Sequence, residues 1–190
     1  MNAPQTRSLI AAGLVVRDAV AADLTAAHTI YQHYVLHGRA SFEEIPPTLD
    51  EMRNRHAHVL RQRLPYLVAE YDGQIVGYAY ASAYRTRSAY RFTVEDSVYV
   101  AEGQQGRGVG RALLAELIVR CEAGPWRQMI AVIASSASGE GAGSLVLHER
   151  MGFRNVGVLH DVGFKHGQWL DTVFLQRELG AGSETPPVDA

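Results

Sequence analysis

The chain has 190 residues, 47% of them hydrophobic and 20% charged, and a formal net charge of −2. That length suits one domain with a real core, the charge and the lack of a long basic run argue against nucleic-acid binding, and no apolar run is long enough to span a bilayer. The one cysteine, Cys121, excludes an internal disulfide and fits a reducing compartment.

Residues 1–13 read as a flexible N-terminal segment. They lack the charged start and apolar run of a signal peptide, so a cytoplasmic protein is expected. Leu14-Val15-Val16-Arg17 reads as a first strand. Asp18 or Asp23 can cap the helix that follows, to about Leu36, with Leu24, Ala27, Ile30, Tyr31 and Tyr34 near helical spacing. Gly38 stands where a left-handed helix-ending glycine belongs. Ser41 to Pro47 is irregular, because proline disfavours helix before it. Thr48-Leu49-Asp50-Glu51 is a capping box that opens a polar helix to about Gln62. His56 and His58 on that helix are two apart and do not face together, so a solvated face is expected there and no metal.

Tyr66–Tyr71 and Gln74–Tyr80 flank Asp72-Gly73, the signal of a tight hairpin. A loop with Arg85, Arg87 and Arg91 follows, then a strand from Phe92 to Val100, a glycine-rich turn, and a helix to about Ala123. Leu113, Leu114, Leu117 and Ile118 give that helix its apolar stripe. Gln128–Ala134, apolar from Met129 onward, reads as a central strand covered on both faces. Ser135–Gly143 is a linker of small residues, and Ser144–Met151 a short helix ended by Gly152. Phe153–Phe164 and Gln168–Arg177 are strands joined through Lys165-His166-Gly167, and residues 180–190 read as a disordered tail. The order β-α-α-β-β-β-α-β-α-β-β predicts an α/β fold, one central mixed β-sheet flanked by helices on both faces, in a single domain over residues 14–179.

The turn Gly103-Gln104-Gln105-Gly106-Arg107-Gly108-Val109-Gly110-Arg111 lies between strand and helix, where backbone N–H groups and the helix dipole favour phosphate. A nucleotide P-loop needs Gly-Lys-Ser/Thr at its end, but Arg111-Ala112 follow Gly110. A dinucleotide fingerprint starting at Gly106 needs glycine at its sixth position, which is Arg111. The remaining pattern, Gln/Arg-x-x-Gly-x-Gly/Ala on Gln105, Gly108 and Gly110, resembles the pyrophosphate loop of the acetyl-CoA-dependent N-acetyltransferase (GNAT) superfamily. Leu147-His148-Glu149-Arg150-Met151-Gly152-Phe153 resembles that superfamily's second hallmark, a helix ending in Gly-Phe. Thr93 to Val100, Lys165 to Asp171, Phe42 with Pro46-Pro47, and Phe174-Leu175-Gln176 are similar to its phosphinothricin and methionine-sulfone N-acetyltransferase branch.

The resemblance implies acetyl transfer from acetyl-CoA to the α-amine of a small amino-acid analogue, in a homodimer. Carried over residue by residue, it implies pyrophosphate contacts from Gln105, Gly106, Arg107, Gly108, Val109, Gly110 and Arg111. It implies a splayed strand edge at Val98, Tyr99 and Val100 that receives the pantetheine arm, and a CoA contact at Ser144. The branch usually carries an Asn before the Ser-led helix; here the linker is longer and Gly141 falls near that position, leaving only backbone to make the contact.

A protonated amine must lose a proton before it attacks a thioester. Glu95 is the candidate base: strand alternation groups it with Thr93, Ser97 and Tyr99, away from Val94, Val98 and Val100. A surface glutamate, or one salt-bridged near Arg91, is the alternative. His148 stands where many superfamily members have a tyrosine, and imidazole can reprotonate the CoA thiolate; a packing role is the alternative. Arg85 and Arg87 are candidates to grip a substrate carboxylate, Arg85 being where the branch places such an arginine. Phe42, Tyr31 and Trp169 are candidate walls of the substrate side. Two further readings stay open: an acetyltransferase for another amine (polyamine, protein N-terminus, antibiotic), and a CoA-binding module without catalysis.

Overall fold

The structure, a computed structural model, describes residues 13–136 and 139–187. Most of the N-terminal segment, Ala137-Ser138 of the linker and the last three residues of the tail lie outside that description. Strands β1 (Leu14–Asp18), β2 (Tyr66–Tyr71), β3 (Gln74–Ala83), β4 (Thr93–Val100), β5 (Gln128–Ser135), β6 (Arg154–Lys165) and β7 (Gln168–Glu178) form one sheet among the described residues. Its order is β1-β2-β3-β4-β5-β7-β6. β4 and β5 run parallel, joined by helix α3 (Val109–Glu122); the other neighbours are antiparallel. Helices α1 (Leu24–His37), α2 (Leu49–Arg61) and α4 (Ala142–Arg150) complete the fold.

Two consecutive residues of β3 show that both faces are covered, since neighbours on a strand point to opposite sides. A Cβ on Gly77 would meet Val109 and Leu113 of α3 at 3.0 Å. Tyr78 stacks on Tyr99, centroids 5.1 Å apart, and Tyr99 packs edge-on against Tyr31 and Tyr34 of α1. The mixed α/β sheet expected from the element order is therefore present. The Asp72-Gly73 hairpin forms with φ of 49° and 76°, the conformation a two-residue turn requires. Cys121 is buried in the core.

Several local expectations are corrected. Gly38 has φ −104°, an ordinary extended value, so it does not act as a left-handed terminator. Asp23 turns its carboxylate to the Val20 amide (2.8 Å) and to Arg17 (2.7 and 2.9 Å), not to the amides of α1. Thr48 Oγ accepts the Glu51 amide at 3.1 Å, but the Glu51 carboxylate pairs with Arg55 at 2.6 Å and does not reach back. His56 is buried, with its ring edge-on to Tyr66 at 4.8 Å, because it shares the inward stripe of Met52 and Val59. Apart from these corrections, Gly182 N–H donates to Leu179 and Glu184 N–H to Ala181 in the described part of the tail, both at 3.0 Å. Arg127 donates to Thr185 and Pro186 there.

Candidate active site

The register of β4 creates the site. β4 pairs with β5 only from Thr93↔Gln128 to Asp96↔Ala131, and then the two strands part. The β5-facing edge of Ser97–Val100 is left without a ladder partner, and a cavity of about 570 Å³ opens beside it. The cavity brings together Tyr31, Phe42, Glu95, Val98, Tyr99, Ser144 and His148 of the sequence candidates. It adds Ser41, Glu43, Tyr80, Asp96 and Thr172, which the sequence did not single out, and takes in Ser97 and Gly141. β5 supplies the opposite wall; Val132 is 37% exposed there, so this strand is not covered on both faces along its whole length.

Glu95 is half-buried on the face that alternation assigned to it. Burial raises its pKa and the charge of Asp96 adds to the rise, while Arg85 opposes it. His148 is 3% exposed. Its Nδ1 lies 2.7 Å from the Ser144 carbonyl and its Nε2 3.0 Å from Asp96 Oδ2. The Ser144 carbonyl accepts and an ionised Asp96 accepts as well, an arrangement that favours protons on both ring nitrogens. Burial alone would lower the His148 pKa; the Asp96 hydrogen bond and charge, with the Ser144 carbonyl, outweigh burial and raise it. The other carboxylate oxygen, Asp96 Oδ1, is buried without a partner among the described residues. Asp96 had a signal in the sequence: it shares the buried parity of Val94, where a carboxylate needs a partner.

The glycine turn leads into α3. Gly108 caps the helix with φ +87°, which side-chain-bearing residues rarely adopt. The Gly108 carbonyl accepts from Ala112 at 3.0 Å, so the amides of Val109, Gly110 and Arg111 form the partner-free first turn of α3. A Cβ on Gly106 would meet only open space. Gly110 differs: its missing Cβ faces Leu147 and Val100, so it eases helix packing and does not clear a path for a ligand. The Val109 side chain is buried against the sheet, which leaves its backbone to face the turn. Arg107 lies over the Tyr71 ring at 5.4 Å and donates to Gln104 at 2.8 Å; Gln105 and Arg111 are exposed. The carbonyl of Val100 accepts from the Tyr34 hydroxyl at 2.8 Å.

Gly141 caps α4 with φ +78°, and a Cβ there would overlap the Ala134 carbonyl. The backbone thus excludes an asparagine at this place. Arg85 and Arg87 are exposed and do not line the cavity, although the charge of Arg85 reaches Glu95; Arg85 lies over the Tyr84 ring at 5.0 Å. Trp169 is 61% exposed against Phe164 and is no part of the wall. Among the described residues no group of His, Cys, Asp and Glu is arranged to hold a metal ion.

Residues 16–174 match the family model for the acetyltransferase (GNAT) domain. The chain belongs to the GNAT acetyltransferase family. It is 58% identical over 173 residues to the phosphinothricin N-acetyltransferase of Alcaligenes faecalis, covering 91% of this chain and 85% of that one. It is 38% identical to the L-methionine sulfoximine/L-methionine sulfone acetyltransferase of Salmonella typhimurium, over 87% of this chain and 95% of that one. The crystal structure of a GNAT superfamily phosphinothricin acetyltransferase from Sinorhizobium meliloti in complex with AcCoA superposes with a TM-score of 0.88. Its identity is 48%, with 94% of this chain and 95% of that one covered.

This GNAT enzyme uses acetyl-CoA as co-substrate. The chain fits that molecule at two points. The partner-free amides at the start of α3 and the open Gly106 form an anion cradle beside Arg107. The unpaired edge of Ser97–Val100 offers backbone groups to an extended amide-bearing arm.

Proposed function

We propose that this acetyltransferase modifies the α-amine of a small amino acid or amino-acid analogue of the phosphinothricin, methionine-sulfone or methionine-sulfoximine kind. The relatives' names support the acceptor class. The observation that carries the chemistry is Glu95, a half-buried carboxylate of raised pKa that shares one cavity with the unpaired edge of β4.

Glu95 takes a proton from the substrate ammonium, directly or through a water. The amine nitrogen then bonds to the thioester carbonyl carbon. A backbone N–H on the open edge of β4 donates to the carbonyl oxygen as charge builds on it. The C–S bond breaks with its electron pair on sulfur, the new amide nitrogen gives up its second proton to solvent, and the thiolate takes a proton from His148, which solvent then reloads. Arg85 and Arg87, on the exposed loop before β4, turn in to grip the substrate carboxylate.

The partners are the small amine and a second copy of the chain, in the cytoplasm, with neither nucleic acid nor membrane involved. The homodimer is supported by an apolar surface on β6 and β7, where Val156, Val158, Leu159, Val162, Phe164 and Trp169 are each at least 37% exposed.

The test is thiol release from acetyl-CoA with phosphinothricin, methionine sulfone, methionine sulfoximine, a polyamine and an N-terminal peptide. Fast release with the amino-acid analogues alone supports the proposal. Release with the polyamine or peptide instead removes the carboxylate grip, and acetyl-CoA binding without release removes catalysis.

A further inference from the structure

Lysine is seldom buried, yet Lys165 is 2% exposed. Its Nζ donates to the Ser41 carbonyl at 2.7 Å and to the Tyr34 carbonyl, at the end of α1, at 3.4 Å. Ser41 is itself buried, and its Oγ meets the Tyr31 hydroxyl at 2.9 Å and accepts the Glu43 amide at 3.2 Å. One ammonium thus fixes Ser41, and Ser41 fixes a phenol and a stretch of backbone. Tyr31, Ser41, Phe42 and Glu43 all line the cavity.

A second contact acts on the same segment. Gly163 lies two residues before Lys165 on the same side of β6, and the Phe42 ring occupies the place where a Cβ would stand. The strand reaches this position through a bulge. Pairing shifts between Leu159↔Thr172 and Gly163↔Leu170, and Asp161 takes φ +53°. The Asp171 carboxylate accepts from the Asp161 amide and from His160 Nδ1, each at 3.0 Å. Bulges of this kind re-aim the residues that follow. Beyond Lys165, the His166-Gly167 turn closes the hairpin with φ of 50° and 75°.

We infer that Lys165 and Gly163 are positioning residues that seat the segment Ser41–Glu43 as the wall of the acceptor site, so that the far edge of the sheet sets how tightly the amine is held. This inference rests on the proposed acetylation of a small amino acid. Lys165 touches neither reacting group; it acts through Ser41. The shape of the acceptor site is therefore written partly in β6, a strand that lies beyond β7 from the cofactor-binding edge.

Two variants approach the seat from different sides. Lys165→Met keeps the stem and removes the donor; Gly163→Ala keeps the donor and displaces Phe42. In both, the KM for the amine rises by about tenfold or more, the size of a lost charge-assisted hydrogen bond, while the Kd of acetyl-CoA moves less than about twofold. Hydrogen exchange of the Glu43 amide speeds up in Lys165→Met, with protection in β2–β5 retained. That readout needs no turnover, so it decides the seat even if no amino-acid analogue proves to be a substrate. Unchanged amine KM and unchanged Glu43 exchange overturn the inference. So does a loss of protection across the whole chain with a matching loss of acetyl-CoA affinity, which would make Lys165 a general packing residue.

Discussion

His148 donates to Asp96 from one ring nitrogen and to the Ser144 carbonyl from the other, at 3.0 and 2.7 Å. A helix turn and a strand 52 residues earlier in the chain together hold one imidazole ring. The raised pKa means the charged ring persists to higher pH than a free histidine, and its contribution is lost as pH rises through the folded value. With His148 as proton donor, kcat falls on the alkaline side through that raised pKa. In Asp96→Asn the alkaline limb moves to lower pH, and turnover at pH 8 drops by about tenfold or more, the ordinary range for a general acid. A kcat–pH profile checks this; an unmoved limb would remove His148 from the mechanism.

Glu95 carries the acid limb. Burial raises its pKa, so activity should rise with pH through a value above the usual carboxylate range. Glu95→Gln is expected to cut kcat by roughly 10²–10⁴ while acetyl-CoA binds almost as before. Turnover and calorimetric binding of acetyl-CoA, measured on the same preparation, separate the two effects.

At the glycine turn the expected loss is in binding. Gly108→Ala forces a side chain onto φ +87°, at a cost of about 1–2 kcal/mol, and disturbs the amides that open α3. Arg107→Ala removes one cation beside them. Each variant should weaken acetyl-CoA by about tenfold, in line with a lost charged hydrogen bond, with kcat at saturation little changed. Equal affinity in Arg107→Ala would mean that its place over Tyr71 is packing alone.

The Arg17–Asp23 pair predicts acid sensitivity. Asp23 has a side chain 8% exposed, and hydrogen bonds from Arg17 lower its pKa against the effect of burial. Its folded pKa lies below the unfolded one, so its stabilisation is present above about pH 4 and is lost as pH falls through the folded value. Asp23→Ala should cost about 1–2 kcal/mol at pH 7, because it frees the Val20 amide and removes one of two carboxylates from Arg17, which is partly exposed and keeps Glu70. Chemical denaturation at pH 7 and pH 3 checks both points: the gap between wild type and variant must shrink in acid.

Trp169 and Phe164 lie 5.1 Å apart on the exposed apolar surface of β6 and β7. Trp169→Glu places a charge where the second copy is proposed to dock, and sedimentation should move from dimer towards monomer. An unchanged sedimentation coefficient would place the interface elsewhere.

The parts of the fold that depend on neighbours in sequence were legible. Alternation in β4 identified the face of Glu95, and Asp72-Gly73 identified its hairpin. Residues whose role depends on distant partners were not. Asp96 needs His148, and Lys165 reaches Ser41 across 124 positions, so in sequence it reads as a turn lysine. The spacing of His56 from His58 suggests a solvated face, but its spacing from Met52 and Val59, four and three residues, puts it on the inward stripe. Gly141 departs from the branch pattern for a backbone reason, since only glycine avoids the Ala134 carbonyl.

The parting of β4 from β5 also bears on aggregation. A bare strand edge at the rim of a sheet invites any passing chain to add to it. The bare edge of Ser97–Val100 lies inside the sheet, where β5 closes one end of the gap. A single extended chain can lie in that slot, but a strand already bonded within another sheet cannot follow it in. The protein can therefore keep an unsatisfied edge open for a narrow guest without offering it to other proteins, while one of its two outer rims, β6, is interrupted by its bulge.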